Sequence, residues 1–306
     1  MNQLEELFIK LGGEKRVIVE STEMPLSGPT ILQGPKYPLT WEGKMNKHKT
    51  TLVVPDAHCG PGHNFTRFSA LGSLITDKRP DNIVLMGDFV TLESLSAWDL
   101  GKAGKMEGKR YSEDCKAGVQ AIDLMLSPLR RLQARQKKLG EFVYSPKIVY
   151  LMGNHEDRLD RYLATKPELS AHLDVAKDLE LEESGFTDIV PYRGFIELEG
   201  VLFTHAVMNA ANTAIGGKTA LSVIAQAVSK SVVIGHLHRL ETINVTRHGA
   251  DDIIQILSTG CFFEGVEDYA DGGLNAYWRG VMLLSHYKKG RFDITTISTD
   301  RLMELY

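Results

Sequence analysis

Lys147-Ile148-Val149-Tyr150-Leu151-Met152-Gly153-Asn154-His155-Glu156 decides the fold of this chain. An apolar run of strand length meets a glycine, then an amide, an imidazole and a carboxylate. The run reads as a buried strand. The glycine reads as a tight turn that lets the polar residues gather at the strand's carboxyl end. Four other places repeat the arrangement. Val53-Val54 leads to Asp56-Ala57-His58, and Leu85-Met86 to Gly87-Asp88. Phe203-Thr204 leads to His205, and Val233-Ile234 to Gly235-His236-Leu237-His238. Open α/β sheets carry their functional crevice outside the carboxyl ends of their strands, so the five sets are expected to meet in one mouth.

Around these strands the rhythm is strand and helix. Residues 51–54, 82–86 and 147–152 read as strands and 65–76 as an amphipathic helix, which argues for βαβ units and a largely parallel sheet. A long excursion separates the second and third strands. It holds a Gly/Lys-rich loop (101–110) and a helix over about 112–139, which Pro128 should kink or interrupt. After Glu156 comes a polar helix exposing Arg158, Asp160 and Arg161, then a charged helical segment to about residue 183. The second half reads as strands over 194–199, 201–204, 231–234, 241–247, 252–257, 280–287 and 291–298, with helix in the later part of 209–229. The economical architecture is a four-layer α/β/β/α sandwich: two mixed sheets face to face, with helices outside.

The chain has 306 residues and a net charge of -4, so nucleic acid binding would need a local basic patch. Its 3 cysteines, Cys59, Cys115 and Cys261, form no CxxC pair, which argues against a disulfide framework and for a reducing compartment. The first residues do not read as a secretory signal, and no run of about 18 apolar residues suggests a membrane span. A cytoplasmic protein is the expectation. Leu4, Leu7, Phe8 and Leu11 recur at helical spacing, and prolines and glycines crowd residues 22–47. Residues 1–47 thus read as a short helix and an irregular arm, packing across the domain or mediating assembly. Residues 48–306 read as a catalytic domain.

Taken singly, each polar set is an ordinary cap, turn or hydrogen-bonded histidine. Five in order, each after a strand, are a metal site. Mixed carboxylate, imidazole and amide donors suit borderline or fairly hard divalent ions, and the absence of thiolates disfavours structural zinc. Two such ions stabilise both attacking and leaving oxygens of an in-line displacement.

The ordered series Asp56-x-His58, Gly87-Asp88, Gly153-Asn154-His155-Glu156, His205 and Gly235-His236-x-His238 resembles the calcineurin-like metallophosphoesterase superfamily. The resemblance covers roughly residues 50–257. The stretches GNHEDRLDRYL and SVVIGHLHR are similar to bacteriophage and prophage members. The resemblance implies a dimetal phosphoester hydrolase, with manganese first among its ions and iron, zinc, nickel or cobalt as alternatives. Asp56, His58, Asp88 and His238 would hold one ion. Asp88 would bridge to a second, shared with Asn154, His205 and His236. A metal-bridging hydroxide would attack in line, and His155 would serve as general acid without binding metal. Two departures stand out. Thr91 occupies the place where many protein phosphatases of the family carry an Asp that orients this histidine, leaving Asp56 or another carboxylate to do so. His205 also lacks the usual preceding glycines.

The ligands leave the substrate open. A phosphodiesterase, including a nuclease, is the first expectation, a nucleotide or protein phosphomonoesterase the alternative, and a non-catalytic assembly scaffold a remote one. Arg158, Arg239 and His63 adjoin the signatures and are candidates for holding the substrate. Lys102, Lys105, Lys109 and Arg110, and separately Arg130, Arg131, Arg135, Lys137 and Lys138, are basic clusters able to contact a nucleic acid or nucleotide. The same residues also suit a solvated helix end. Oligomeric state has no signal in the sequence.

Overall fold

The computed structural model describes residues 48–99, 101–246, 253–264, 277–288 and 290–306. The helix and arm expected over residues 1–47 lie outside them. Eleven strands are described: β1 (Thr50–Val54), β2 (Asn82–Leu85), β3 (Lys147–Leu151), β4 (Asp188–Val190), β5 (Ile196–Leu198), β6 (Val201–Thr204), β7 (Val232–Ile234), β8 (Leu240–Thr246), β9 (Ile253–Thr259), β10 (Gly280–Lys288) and β11 (Arg291–Ser298). The first sheet runs β11-β10-β1-β2-β3-β4 and the second β5-β6-β7-β9-β8. β1 to β4 run parallel to one another, whereas β10 joins β1, and β11 joins β10, antiparallel. Both sheets are mixed, as expected.

Alternation along the strands sets the layers. Leu52, Val54, Ile83 and Leu85 enter one apolar cluster, while Val53 and Val84 enter another. A strand apolar on both faces needs cover on both. Helices α1 (Thr66–Lys78), α2 (Tyr111–Leu139), α3 (Asp157–Leu163) and, later in the chain, the C-terminal Thr299–Leu305 cover the first face, contributing Phe68, Ile122, Leu159 and Leu302. The second sheet covers the other face with Phe203, Val233 and Leu257. Helix α4 (Ala220–Ala227) closes the outside of that sheet through Leu221 and Ile224 against Val232 and Ile256. The result is the α/β/β/α sandwich.

Three local expectations change. Pro128 does not end its helix, and α2 passes through it without interruption. Gly72 of α1 lies against the turn that holds the proline, where a Cβ would stand 2.5 Å from the Met125 carbonyl and 2.8 Å from the Pro128 ring. Close packing thus holds the helix where the missing N–H weakens it. The charged segment beyond α3 is no single helix but three short turns: Pro167–Leu169, Val175–Asp178 and Leu181–Ser184. Strand β9 continues to Thr259 because its last hydroxyls are satisfied: Ser258 Oγ donates to Arg239 O at 2.7 Å and Thr259 Oγ1 to Ile234 O at 3.0 Å. No helix among the described residues is long and apolar enough to cross a membrane.

Candidate metal centre

The turns after β1, β2, β3, β6 and β7 meet in one place. Three overlapping sets have donor atoms within 4.8 Å of one another and could hold a metal ion: Asp56, His58 and His238; His58, Asp88 and His155; and Asp88, His205 and His236. Asp56, His58, Asp88 and His205 are all buried. The backbone is bent to bring them there. His58, Asp88, His236 and His238 have φ of 44°, 45°, 64° and 56°, left-handed conformations that non-glycine residues adopt at a cost and that cluster at functional sites. Glycine is needed where a carboxylate closes on the chain. A Cβ on Gly235 would stand 2.6 Å from Asp56 Oδ1, and one on Gly153 would run into the Asp88 carboxylate.

Hydrogen bonds aim the donors inward. The His236 amide donates to Asp56 Oδ2 at 3.0 Å, and His238 Nε2 lies 3.0 Å from the same oxygen. The His155 amide donates to Asp88 Oδ1 at 2.7 Å. His205 Nδ1 donates to the Met86 carbonyl at 2.8 Å, which turns Nε2 toward Asn154 Oδ1 at 3.0 Å and Asp88 Oδ2 at 3.5 Å. Burial lowers the pKa of His58 and of His236. Burial also opposes charge on His205, but the Asp88 carboxylate beside it prevails and lifts that imidazole to about 10. Against its own burial, Asp88 is in turn held well below the usual carboxylate range, chiefly by His205 and His155.

What orients His155 is neither Asp56 nor another carboxylate. Its Nδ1 lies 2.8 Å from the main-chain oxygen of Thr91. A carbonyl only accepts, so Nδ1 carries the hydrogen. Arg158 donates to the same oxygen at 2.9 Å, and its Nη2 stands 3.2 Å from His155 Nε2. Burial brings the His155 pKa down to about 4 against the opposing pull of Asp88. The guanidinium at Nε2 makes that nitrogen a poor place for a cation, although His155 belongs to one of the three sets.

Glu156, quoted in the signature without a role, is the hub of the site. Oε2 accepts from the amides of Gly153 at 2.7 Å and Asp88 at 3.0 Å, and Oε1 from Phe89 at 2.8 Å, Val90 at 3.2 Å and the Tyr150 hydroxyl at 2.9 Å. It ties the turn after β2 to the turn after β3.

A cleft of about 610 Å³ opens over the cluster, and Arg158 lines it. Arg239 and His63 are not among the residues lining it. Arg239 donates to the Gly217 carbonyl at 2.9 Å and faces Glu241 at 3.5 Å, and His63 is exposed on the turn after β1. Two aromatic residues that sequence reading passed over, Trp98 and Tyr277, do line the cleft. A tryptophan just ahead of the Gly/Lys-rich loop was the available signal for the first.

Neither a family model nor a curated protein sequence matches the chain. Among solved structures it is similar to a metallophosphoesterase from Sphaerobacter thermophilus (15% identity, 84% of this chain and 93% of that one, TM-score 0.39). It is also similar to the protein TT1561 of Thermus thermophilus (10% identity, 81% and 99%, TM-score 0.38). A third likeness is to the Pseudomonas putida nuclease MPE (16% identity, 80% and 87%, TM-score 0.31). Likeness at this level leaves function to be argued from the geometry of the site.

Proposed function

We propose that the protein is a dimetal-dependent phosphoester hydrolase acting on a diester. The observation that carries this is the overlap of the donor sets. Asp56, His58 and His238 form one, Asp88, His205 and His236 another, and the Asp88 carboxylate lies within reach of His58 as well as of His205. This chemistry fits two divalent ions: carboxylate oxygens, imidazole nitrogens and one amide oxygen. The residues that would hold the ions are those expected from the sequence: Asp88 would serve both, and Asn154 would join the second set. When bound, such a pair supplies Lewis acidity and an activated water.

The chain's own groups do the rest. Thr91 O fixes the His155 ring, so Nε2 is the atom that holds or delivers a proton to the leaving oxygen. An anionic phosphate in the cleft favours the protonated imidazole and raises its pKa from the low value set by burial. Arg158, already beside Nε2, is in position to pair with a non-bridging phosphate oxygen. Beyond the cluster the cleft is lined by Trp98 and Lys105, a surface that a second ester group would contact, which favours the diester over the monoester. Manganese as the working ion, a cytoplasmic place of action and kinship with phage and prophage members belong to the same proposal, the last resting on the GNHEDRLDRYL stretch.

The test is hydrolysis of bis-p-nitrophenyl phosphate and p-nitrophenyl phosphate with Mn²⁺. Faster turnover of the diester is expected. No turnover of either by ion-loaded protein removes the proposal, and preference for the monoester makes it a phosphatase.

A further inference from the structure

Residues 93–99 and 101–109, between the Thr91 turn and α2, form one wall of the cleft and take no part in the chemistry above. This wall carries Trp98, 86% exposed, with Lys102 and Lys105 exposed and Lys109 half-buried beside it. An exposed indole is uncommon, because tryptophan buries more apolar surface than almost any other side chain. Here it stands in a wall shared with ammonium groups, in a chain whose net charge is -4. Lys102 is braced by Asp99 at 3.1 Å and Lys109 by Glu93 at 2.5 Å. Exposed pairs of this kind are weak, so a phosphate competes for the ammonium groups at small cost. Tyr277, which also lines the cleft, packs edge-on to His238, with ring centroids 5.1 Å apart.

We infer that the wall formed by Trp98, Lys102, Lys105 and Lys109 binds single-stranded nucleic acid, stacking one unpaired base on the Trp98 ring and holding adjacent phosphates on the lysines. The inference rests on the phosphoesterase reading for the identity of the scissile bond, but not for binding. A planar, π-faced group next to a run of phosphates is the chemistry that an aromatic residue among lysines recognises. A duplex hides its base faces and offers the indole nothing to stack on. A phosphopeptide uses the lysines alone.

The test is fluorescence anisotropy of 5′-fluorescein-labelled dT12 with the full-length, Mn²⁺-loaded protein, in a His155→Ala background that keeps the oligonucleotide intact. Trp98→Ala is expected to weaken binding by about tenfold, and Trp98→Phe to restore most of it. Lys102→Gln and Lys105→Gln are expected each to flatten the slope of log K against log salt by about 0.7. Unchanged affinity in Trp98→Ala overturns the inference. So does tighter binding of a duplex, or of a phosphoserine peptide of matched charge. Hydrolysis of bis-p-nitrophenyl phosphate by the wild type is measured alongside. Its absence removes the hydrolase proposal and leaves the binding result to be judged alone.

Discussion

His155 Nδ1 and the Thr91 carbonyl oxygen, 64 residues apart in sequence, meet at 2.8 Å. The peptide oxygen fixes the ring and one proton. It adds no charge, and Arg158 donates to it as well. The Thr91 side chain contributes little. Its hydroxyl is buried without a hydrogen-bond partner among the described residues. Thr91→Val should keep turnover near wild type and be neutral or stabilising by about 1 kcal/mol, since it removes a buried unsatisfied hydroxyl. Diester kinetics and thermal denaturation read this. A large loss of kcat would mean that the hydroxyl, not the carbonyl, serves His155.

His155→Ala should slow the chemical step by about 10²–10⁴-fold while leaving the ions bound, the usual worth of a general acid. Asp88→Asn should instead lower the metal content, because one carboxylate serves both donor sets. Metal analysis of the two purified variants separates the roles. Metal loss in His155→Ala would make that histidine a ligand.

Glu156→Gln tests the hub. Four amides and a phenol converge on this carboxylate, and a carboxamide sets its own N–H against at least one of those donors. A loss of about 2 kcal/mol or more in stability is expected, with lowered metal affinity as the two turns loosen. Denaturant unfolding with and without Mn²⁺ measures it. Unchanged stability would show that the hub is dispensable.

Removing the ions should expose the His205–Asp88 pair. The folded-state pKa of His205 lies near 10, above the unfolded value of about 6.5. Its contribution to stability is therefore fully present below about pH 6.5 and is lost as pH rises toward 10. Chelated protein should melt progressively lower across that window, and reloading at pH 8 should release protons as cations displace them. Differential scanning fluorimetry reads the first effect. Calorimetry in buffers of different ionisation enthalpy reads the second, and zero proton release would contradict the pairing.

Much of this was legible in the residues themselves. Strand after strand ends in Asp, Asn or His, and because side chains alternate across a sheet, the apolar runs foretold two faces to cover. The meeting of Asp56, His58, Asp88, His205, His236 and His238 was readable for the same reason: each is a side chain with one chemical habit, in a fixed position after a strand. The support of His155 was not, because a main-chain carbonyl looks the same at every position. Nor was the role of Glu156, whose partners are amides from two distant turns. Pro128 misled because the compensating contact, Gly72, lies on another helix.

The left-handed backbone of His58, Asp88, His236 and His238 has a consequence beyond catalysis. Each such residue raises the energy of the folded chain by about 1–3 kcal/mol. A cation that binds only the folded form offsets that burden in proportion to the logarithm of its concentration. In a metal-starved cell the chain would open more often and meet proteases more often, so under the dimetal proposal its abundance would follow the supply of those ions.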